Sequence, residues 1–220
     1  MGESVRFVSR RPSGLIELEG AVSLPEREDA APAVVICHPH PAGGGEMDNG
    51  LLEVMDRRAV RVGFAVLRFN FGGVGRSGGA FADGLEEPSD VAAAVEYMRS
   101  RGEVDETNVS VAGWSFGAWM CLLGLAEGMP SLACVAIAPP LMLYDWRQYT
   151  GRIAASPAQR HYIIGANDQF CPIDFLEAFT GALSDEDTGN TMVLPATDHY
   201  LVGREDIVAE LAIECIENFR

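Results

Sequence analysis

The fold is decided by the stretch Val109-Ser-Val-Ala-Gly-Trp-Ser-Phe-Gly117. Its first four residues indicate a buried strand, and its last five match the pattern G-x-S-x-G. A predicted helix, Phe116–Glu127, follows at once and is closed by Gly128. A serine in a tight turn between strand and helix is typical of a nucleophile elbow, which lifts the hydroxyl above the sheet. The alternative is an ordinary glycine-rich turn, but this context favours Ser115 as a nucleophile.

Strands and helices alternate along the rest of the chain. We predict further strands at Val5–Val8, Leu15–Leu18, Ala33–Cys37, Phe64–Phe69, Leu132–Ala138, Tyr162–Ile164 and Thr191–Leu194. We predict further helices at Leu51–Val62, Asp90–Arg101 with Pro88 ahead of it, Pro172–Leu183 and Glu205–Phe219. The first two strands, joined by a turn at Arg11–Gly14, form an antiparallel hairpin. The alternation after them predicts a mostly parallel, doubly wound α/β sheet with helices on both faces.

Length and charge limit the class of protein. The 220 residues and the 48% hydrophobic fraction suit one α/β domain over residues 1–220. The net charge of −16 disfavours nucleic acid and anionic membrane surfaces as partners, because both are negatively charged. No apolar run approaches the roughly 18 residues that span a bilayer. The polar segment from Met1 to Arg11 lacks the apolar core of a signal peptide.

The cysteines indicate a reducing compartment. There are five, an odd number, and none forms a CxxC pair. Four of them lie in apolar segments, where a thiol usually behaves as a small core residue. We therefore expect free thiols and a cytoplasmic protein.

A serine nucleophile requires a base, and the base requires an acid that orients it. Two histidines follow Ser115 in the sequence. His161 precedes the strand Tyr162–Ile164 and so enters the sheet at the wrong end. His199 follows the last predicted strand and lies in a polar loop. We therefore predict His199 as the base.

Asp168 is the predicted acid because it directly follows the strand Tyr162–Ile164, where ligand-binding residues collect in parallel sheets. Three other aspartates compete with it. Asp145 comes one strand too early, and Asp174 falls inside a predicted helix. Asp198 adjoins the base, and neighbouring loop residues rarely aim their side chains at each other.

The tetrahedral oxyanion needs two N–H donors. The residue after the nucleophile, Phe116, supplies one. The second is expected from the loop His38-Pro-His-Pro41, where the prolines have no N–H and His40 is therefore the best-placed donor. Metal binding by His38 and His40 is the alternative, and we predict no metal because no third ligand cluster accompanies them.

A second glycine pattern, Gly73-Val-Gly-Arg-Ser-Gly78, matches G-x-G-x-x-G. A dinucleotide site requires a helix to open at that loop. The next predicted helix begins only after Pro88, so we interpret the segment as a tight loop that borders the active site.

The segment Pro139–His161 sets the expected openness of the site. Three prolines and a glycine interrupt it, so it can hold about one short helix and no large lid. We therefore expect an open site for small substrates. The candidate wall residues are Trp114, Leu141, Met142, Tyr144 and Trp146.

Five segments stand out in combination: Cys37-His-Pro-His-Pro41, Met47-Asp-Asn49, Gly73-Val-Gly-Arg-Ser77, Gly113-Trp-Ser-Phe-Gly117 and Asp198-His199. Together they resemble a family of small bacterial α/β-hydrolases, relatives of dienelactone hydrolase that include carboxylesterases. The resemblance covers nearly the whole chain. It implies the α/β-hydrolase fold with Ser115 as nucleophile, Asp168 as acid and His199 as base. Dienelactone hydrolase itself uses a cysteine nucleophile, so its lactone substrate is not implied.

The predicted activity is that of a carboxylesterase acting on a small-molecule acyl substrate, with no cofactor. A thioesterase or amidase is the second hypothesis, since the same site attacks any activated acyl group. A binding protein that keeps the fold without catalysis is the third. The oligomeric state stays open, with a homodimer as one option.

Overall fold

The structure, a computed structural model that describes residues 2–184, 187 and 190–218, contains one eight-stranded sheet. Its strands are β1 (Glu3–Arg11), β2 (Gly14–Ser23), β3 (Ala31–Cys37), β4 (Ala65–Phe69), β5 (Val104–Trp114), β6 (Ala133–Ile137), β7 (Gln159–Gly165) and β8 (Thr191–Leu194). They lie in the order β1-β2-β4-β3-β5-β6-β7-β8. β2 is antiparallel to both β1 and β4, and the remaining neighbours are parallel. The predicted doubly wound sheet with an N-terminal hairpin is confirmed.

Helices cover both faces of the sheet. They are α1 (Gly50–Arg61), α2 (Glu87–Arg99), α3 (Phe116–Ala126), α4 (Thr150–Ala154), α5 (Ile173–Gly181) and α6 (Glu205–Glu217). Buried residues of α1 and α6 form one hydrophobic cluster, and those of α2, α3, α4 and α5 form the other. The last helix begins at Glu205 as predicted, while its predicted end at Phe219 lies outside the described residues. No helix of the described part of the chain is long and apolar enough to cross a membrane.

The central strands are continuous apolar runs because both of their faces are covered. Every residue of β3 is buried. Val34 and Ile36 pack toward α1 and α6, whereas Val35 and Cys37 pack toward α2 and α3. This alternation along one strand divides the core into two layers.

Several strands extend beyond their predicted bounds. β5 begins at Val104 rather than Val109, and its first residues, which include Asp105 and Glu106, are mostly polar. β7 begins at Gln159, so His161 lies inside the strand rather than before it. In β5 the polar residues 105–108 form an irregularity, because Val104 pairs with Ala31 and the regular pairing with β3 resumes only at Val109.

A buried ionic network that the sequence analysis did not predict holds the loop between β4 and α2. Arg11 was expected in the hairpin turn, but it ends β1 and its guanidinium pairs with both carboxylate oxygens of Asp90. The same guanidinium donates to the carbonyl of Ala80 at 2.7 Å. Glu87 accepts the N–H groups of Ala82 and Gly84 at 2.7 and 2.8 Å. These bonds fix the conformation of the loop between β4 and α2.

The connection between β6 and β7 is short and irregular, as expected. It contains two 3-10 turns, Leu141–Leu143 and Trp146–Gln148, and the five-residue helix α4. Prolines at positions 139, 140 and 157 keep longer helices from forming there. The fold therefore carries no large lid in this segment.

Candidate active site

Ser115 occupies a strained turn between β5 and α3. Its backbone angles are φ 53° and ψ −116°, outside the regions that L-residues favour. The flanking glycines make this turn possible. A Cβ on Gly113 would lie 2.4 Å from the carbonyl carbon of Gly117, and a Cβ on Gly117 would lie 2.4 Å from the carbonyl oxygen of Cys37. The motif is thus explained by close packing of strand, turn and helix.

Ser115, His199 and Asp168 form a continuous line of hydrogen bonds. The Ser115 Oγ lies 2.8 Å from His199 Nε2, and His199 Nδ1 lies 3.0 Å from both carboxylate oxygens of Asp168. Because Nδ1 faces a carboxylate, it carries the proton and leaves Nε2 free to accept from the serine. All three side chains are buried. The structure therefore brings together the predicted nucleophile, the predicted base and the predicted acid.

The carboxylate of Asp168 is itself fixed by backbone groups. Its Oδ1 accepts the N–H groups of Phe170 and Cys171 at 2.8 and 2.9 Å. These two bonds hold the carboxylate in the orientation in which it meets the imidazole of His199.

The residues that competed for the roles of acid and base do not take part in the line of hydrogen bonds from Ser115 to Asp168. Asp145 precedes a 3-10 turn and contacts Gln148, and Asp174 lies in the first turn of α5. Asp198 accepts the N–H of Tyr200 at 3.0 Å. His161 lies near the start of β7, at the opposite end of that strand from Asp168.

The two predicted oxyanion donors belong to Phe116 and His40, residues that line one cavity. Phe116 is the first residue of α3, so its N–H has no acceptor within the helix. The His40 N–H donates to no described residue. The His40 ring is held separately, because its Nδ1 accepts the Ala42 N–H at 3.1 Å and its face meets Phe81 and Phe116. Both residues line the cavity beside Ser115.

The imidazole of His38 is buried and hydrogen-bonded within the fold. Its Nε2 accepts the Phe71 N–H at 3.2 Å, and its Nδ1 lies 2.7 Å from the carbonyl oxygen of Pro39. Both ring nitrogens are therefore engaged, with the proton on Nδ1. Burial, aided by the neighbouring His40, lowers the pKa of His38 to about 4.

The buried neutral state of His38 predicts a loss of stability in acid. In the unfolded chain the pKa of His38 returns to its ordinary value of 6.5. Between these two values the unfolded state binds more protons, so folding stability falls as the pH drops from 6.5 toward about 4. The full difference corresponds to about 3 kcal/mol. Urea unfolding at a series of pH values measures it.

A matched variant separates His38 from the other titrating groups. His38→Asn keeps one donor and one acceptor but cannot titrate in this range. We expect its stability to depend less steeply on pH, while burial of His161 still lowers the pKa of that residue and contributes in the same direction. An unchanged slope in His38→Asn would show that His38 does not remain neutral in the folded protein.

A cavity of about 260 Å³ lies over the triad. Two of the five predicted wall residues, Trp114 and Tyr144, line it. The other three do not. Leu141 and Trp146 are buried in the core below, where Trp146 packs edge-on against Phe179, and Met142 is half exposed to solvent. The 3-10 turns rotate these side chains away from the cavity, so this part of the prediction is wrong.

Sequence reasoning missed several residues that line the cavity. Phe170 follows the acid by two positions, and Tyr200 directly follows the base. Their position in the sequence, next to predicted triad residues, could have indicated them as residues of the cavity wall. Asn49 also lines the cavity and belongs to the segment Met47-Asp-Asn49 that the resemblance singled out, whereas Pro140 and Leu143 line it without any comparable signal in the sequence.

The loop Gly73–Gly78 opens no helix, as the sequence predicted. The Gly73 N–H donates to the Gly78 carbonyl, and the buried carboxylate of Glu19 accepts the Arg76 N–H. These N–H groups are occupied, and a carboxylate at this position repels phosphate. The segment instead leads to Phe81, which packs against His40 and Phe116 beside the cavity.

A family model for X-Pro dipeptidyl-peptidases, the S15 family, matches residues 13–167. That span is more than half of the chain and contains the whole nucleophile elbow. The chain belongs to the S15 family. The matched span of this S15 member stops just before Asp168, so the acid and the base are located by the structure rather than by the family match.

Several bacterial proteins of known structure share this fold. A protein of unknown function from Agrobacterium tumefaciens, described as an α/β hydrolase, is 30% identical with a TM-score of 0.79, covering 97% of this chain and 94% of that one. An α/β serine hydrolase homologue from Coxiella burnetii is 25% identical with a TM-score of 0.79, covering 98% of each chain.

A third similar structure is an α/β serine hydrolase without lid from Xanthomonas campestris. It is 26% identical with a TM-score of 0.76, covering 98% of this chain and 94% of that one. An uncharacterised protein from Rickettsia prowazekii is 28% identical over 173 residues, which is 77% of this chain and 72% of that protein. The expected membership in a group of small bacterial α/β-hydrolases is confirmed, and the chain is a serine hydrolase of this fold.

Proposed function

We propose that this S15 family member is a carboxylesterase that cleaves small esters through an acyl-enzyme on Ser115. The observation that carries the proposal is the line of hydrogen bonds from Ser115 through His199 to Asp168, which opens on a small cavity. Such a line supplies a nucleophile, a base and an orienting acid in the order that acyl transfer requires.

In the proposed mechanism His199 Nε2 takes the proton of the Ser115 hydroxyl as the oxygen attacks the ester carbonyl. The negative charge that develops on the carbonyl oxygen is stabilised by the N–H groups of Phe116 and His40. His199 returns its proton to the leaving alcohol. Water, activated by the same imidazole, then hydrolyses the acyl-enzyme and releases the acid. Asp168 stays ionised and stabilises the protonated imidazole.

Cleavage of amide bonds is the second candidate, and the match to a peptidase family favours it. An amide differs in that His199 must protonate a poor amine leaving group. Comparing p-nitrophenyl acetate with the matching p-nitroanilide distinguishes the two activities. We expect the ester to be the better substrate by kcat/KM.

The cavity size supports small substrates. At about 260 Å³ it is smaller than the roughly 300–1,000 Å³ pockets that hold drug-sized ligands. The segment between β6 and β7 contributes Pro140, Leu143 and Tyr144 to the cavity wall but holds no helix longer than the five residues of α4 that could form a large lid. A long acyl chain would leave its distal methylenes in water, and each forgoes roughly 0.8 kcal/mol of burial.

The experiment for this proposal compares p-nitrophenyl acetate, butyrate and palmitate. We expect kcat/KM to be high for the acetyl and butyryl esters and to fall steeply for palmitate, with no increase when the substrate forms micelles. Ser115→Ala provides the blank in every assay. A preference for palmitate that rises at the onset of micelles would contradict the small-ester assignment.

We also propose a cytoplasmic location. It is supported by the five cysteines, all of which are free and buried. Oxidising compartments favour disulfides instead.

A further inference from the structure

Aromatic side chains make up much of the cavity wall. The rings that line it, besides the two histidines, are Trp114, Phe116, Tyr144, Phe170 and Tyr200. Among the described residues, none that lines the cavity is an arginine, and the sequence contains no lysine. Apart from its two histidines and the two N–H groups assigned to the oxyanion, a site of this composition offers nothing that would attract a carboxylate or phosphate. Aromatic rings attract cations, because their faces carry partial negative charge.

A carboxylate lies at the edge of this cavity. Asp83 Oδ1 is 3.6 Å from Nε2 of His40, which is itself a lining residue. The Asp83 side chain is 84% exposed, so it is accessible to a ligand that enters from solvent. Its position is fixed by the backbone, since the neighbouring N–H groups of Ala82 and Gly84 are bonded to Glu87.

Negative charge also acts on one wall residue of the cavity, Tyr144. Burial raises the pKa of Tyr144 to about 12, and the negative charges of Asp83 and Glu87 act in the same direction. The arginine nearest to Tyr144 in the sequence is Arg147. Its guanidinium stacks over the Trp146 ring at 4.5 Å and does not line the cavity. With a net charge of −16 on the whole chain, the local and the global fields have the same sign.

We propose that the cavity selects substrates that carry a positively charged group, such as a quaternary or primary ammonium, and disfavours those that carry a carboxylate or phosphate. The ammonium group would lie among the aromatic rings with Asp83 as its counter-ion. This inference rests on the proposed function only in taking the cavity as the substrate site, and it adds the charge class of the substrate.

Three probes of similar size and different charge test the proposal: tetramethylammonium, 2,2-dimethylpropanol and pivalate. Their binding to the Ser115→Ala protein is measured by ligand-observed NMR. We expect tetramethylammonium to bind about tenfold more tightly than the neutral alcohol. Pivalate should bind more weakly than either. The advantage of the cation should shrink between about 0.02 M and about 0.5 M salt, because Asp83 is exposed.

Two variants locate the effect. Asp83→Asn should reduce the advantage of tetramethylammonium about threefold. Asparagine suits this position because Asp83 has φ 54°, a left-handed conformation that asparagine tolerates. Glu106→Gln removes one exposed carboxylate from the opposite end of β5 and should leave the advantage unchanged.

Equal binding of the three probes, or tighter binding of pivalate, would overturn the proposal. An advantage that Asp83→Asn leaves intact, or that Glu106→Gln reduces equally, would overturn the assignment to Asp83. Failure of the esterase proposal gives a different result, namely no hydrolysis of any ester by the unmodified protein. The two failures are separable because the probes are measured by binding to a variant without the nucleophile.

Discussion

Ser115→Ala is expected to lower kcat for p-nitrophenyl acetate by roughly four to six orders of magnitude. The substitution removes the oxygen that attacks the carbonyl and leaves His199 without a proton to accept. Members of a catalytic triad act as a unit, so loss of the nucleophile costs nearly the whole advantage of the triad. Steady-state kinetics with a freshly purified variant measures the loss.

The chain offers a matched control for this variant. Ser110 lies in the same strand, is fully buried, and its hydroxyl makes no hydrogen bond to any described residue. Ser110→Ala therefore removes the same atom without removing a partner. We expect near-normal kcat from it. Near-normal activity in Ser115→Ala would show that another residue is the nucleophile.

His40→Pro is expected to lower kcat by about a hundredfold or more, and His40→Ala by much less. Proline removes the backbone N–H that is assigned to the oxyanion, whereas alanine keeps it. The backbone of His40 is suited to the substitution, because its φ of −59° is close to the value that proline imposes. Comparing kcat and KM for both variants separates transition-state stabilisation from substrate binding.

The two His40 variants also share a second effect, which is the loss of the imidazole ring. Both variants lose the contacts of the imidazole with Ala42, Phe81 and Phe116. The difference between the two variants therefore reports on the N–H, provided that both melt at similar temperatures. Equal losses of kcat with equal stability would assign the effect to the imidazole instead.

Much of the site was predictable because catalytic groups in a parallel sheet collect at the carboxyl ends of the strands. Ser115 follows β5, Asp168 follows β7 and His199 follows β8, so the order of residues along the chain was sufficient to select them. The strained elbow could be predicted as well, since Gly113 and Gly117 have a steric purpose that glycine alone satisfies.

Other features depend on tertiary contacts that leave no periodic pattern. Leu141 and Trp146 lie in short 3-10 turns, where the direction of a side chain is set by local packing rather than by a repeat. Arg11 pairs with Asp90, a residue that is far away in sequence, so its burial could not be read from its polar neighbours. The polar start of β5 was likewise missed because residues 105–108 form an irregularity between the paired positions Val104 and Val109, and such an insertion has no side-chain alternation.

The central claim is that Ser115 is a nucleophile activated by His199 and Asp168. Its most direct test is labelling with a fluorophosphonate followed by mass spectrometry of the digested protein. We predict one adduct, on the peptide that contains Ser115. It should be absent from Ser115→Ala, slow to form in Asp168→Asn, and unaffected in Ser110→Ala. An adduct on a different residue, or equal labelling of Ser115→Ala, would contradict the account.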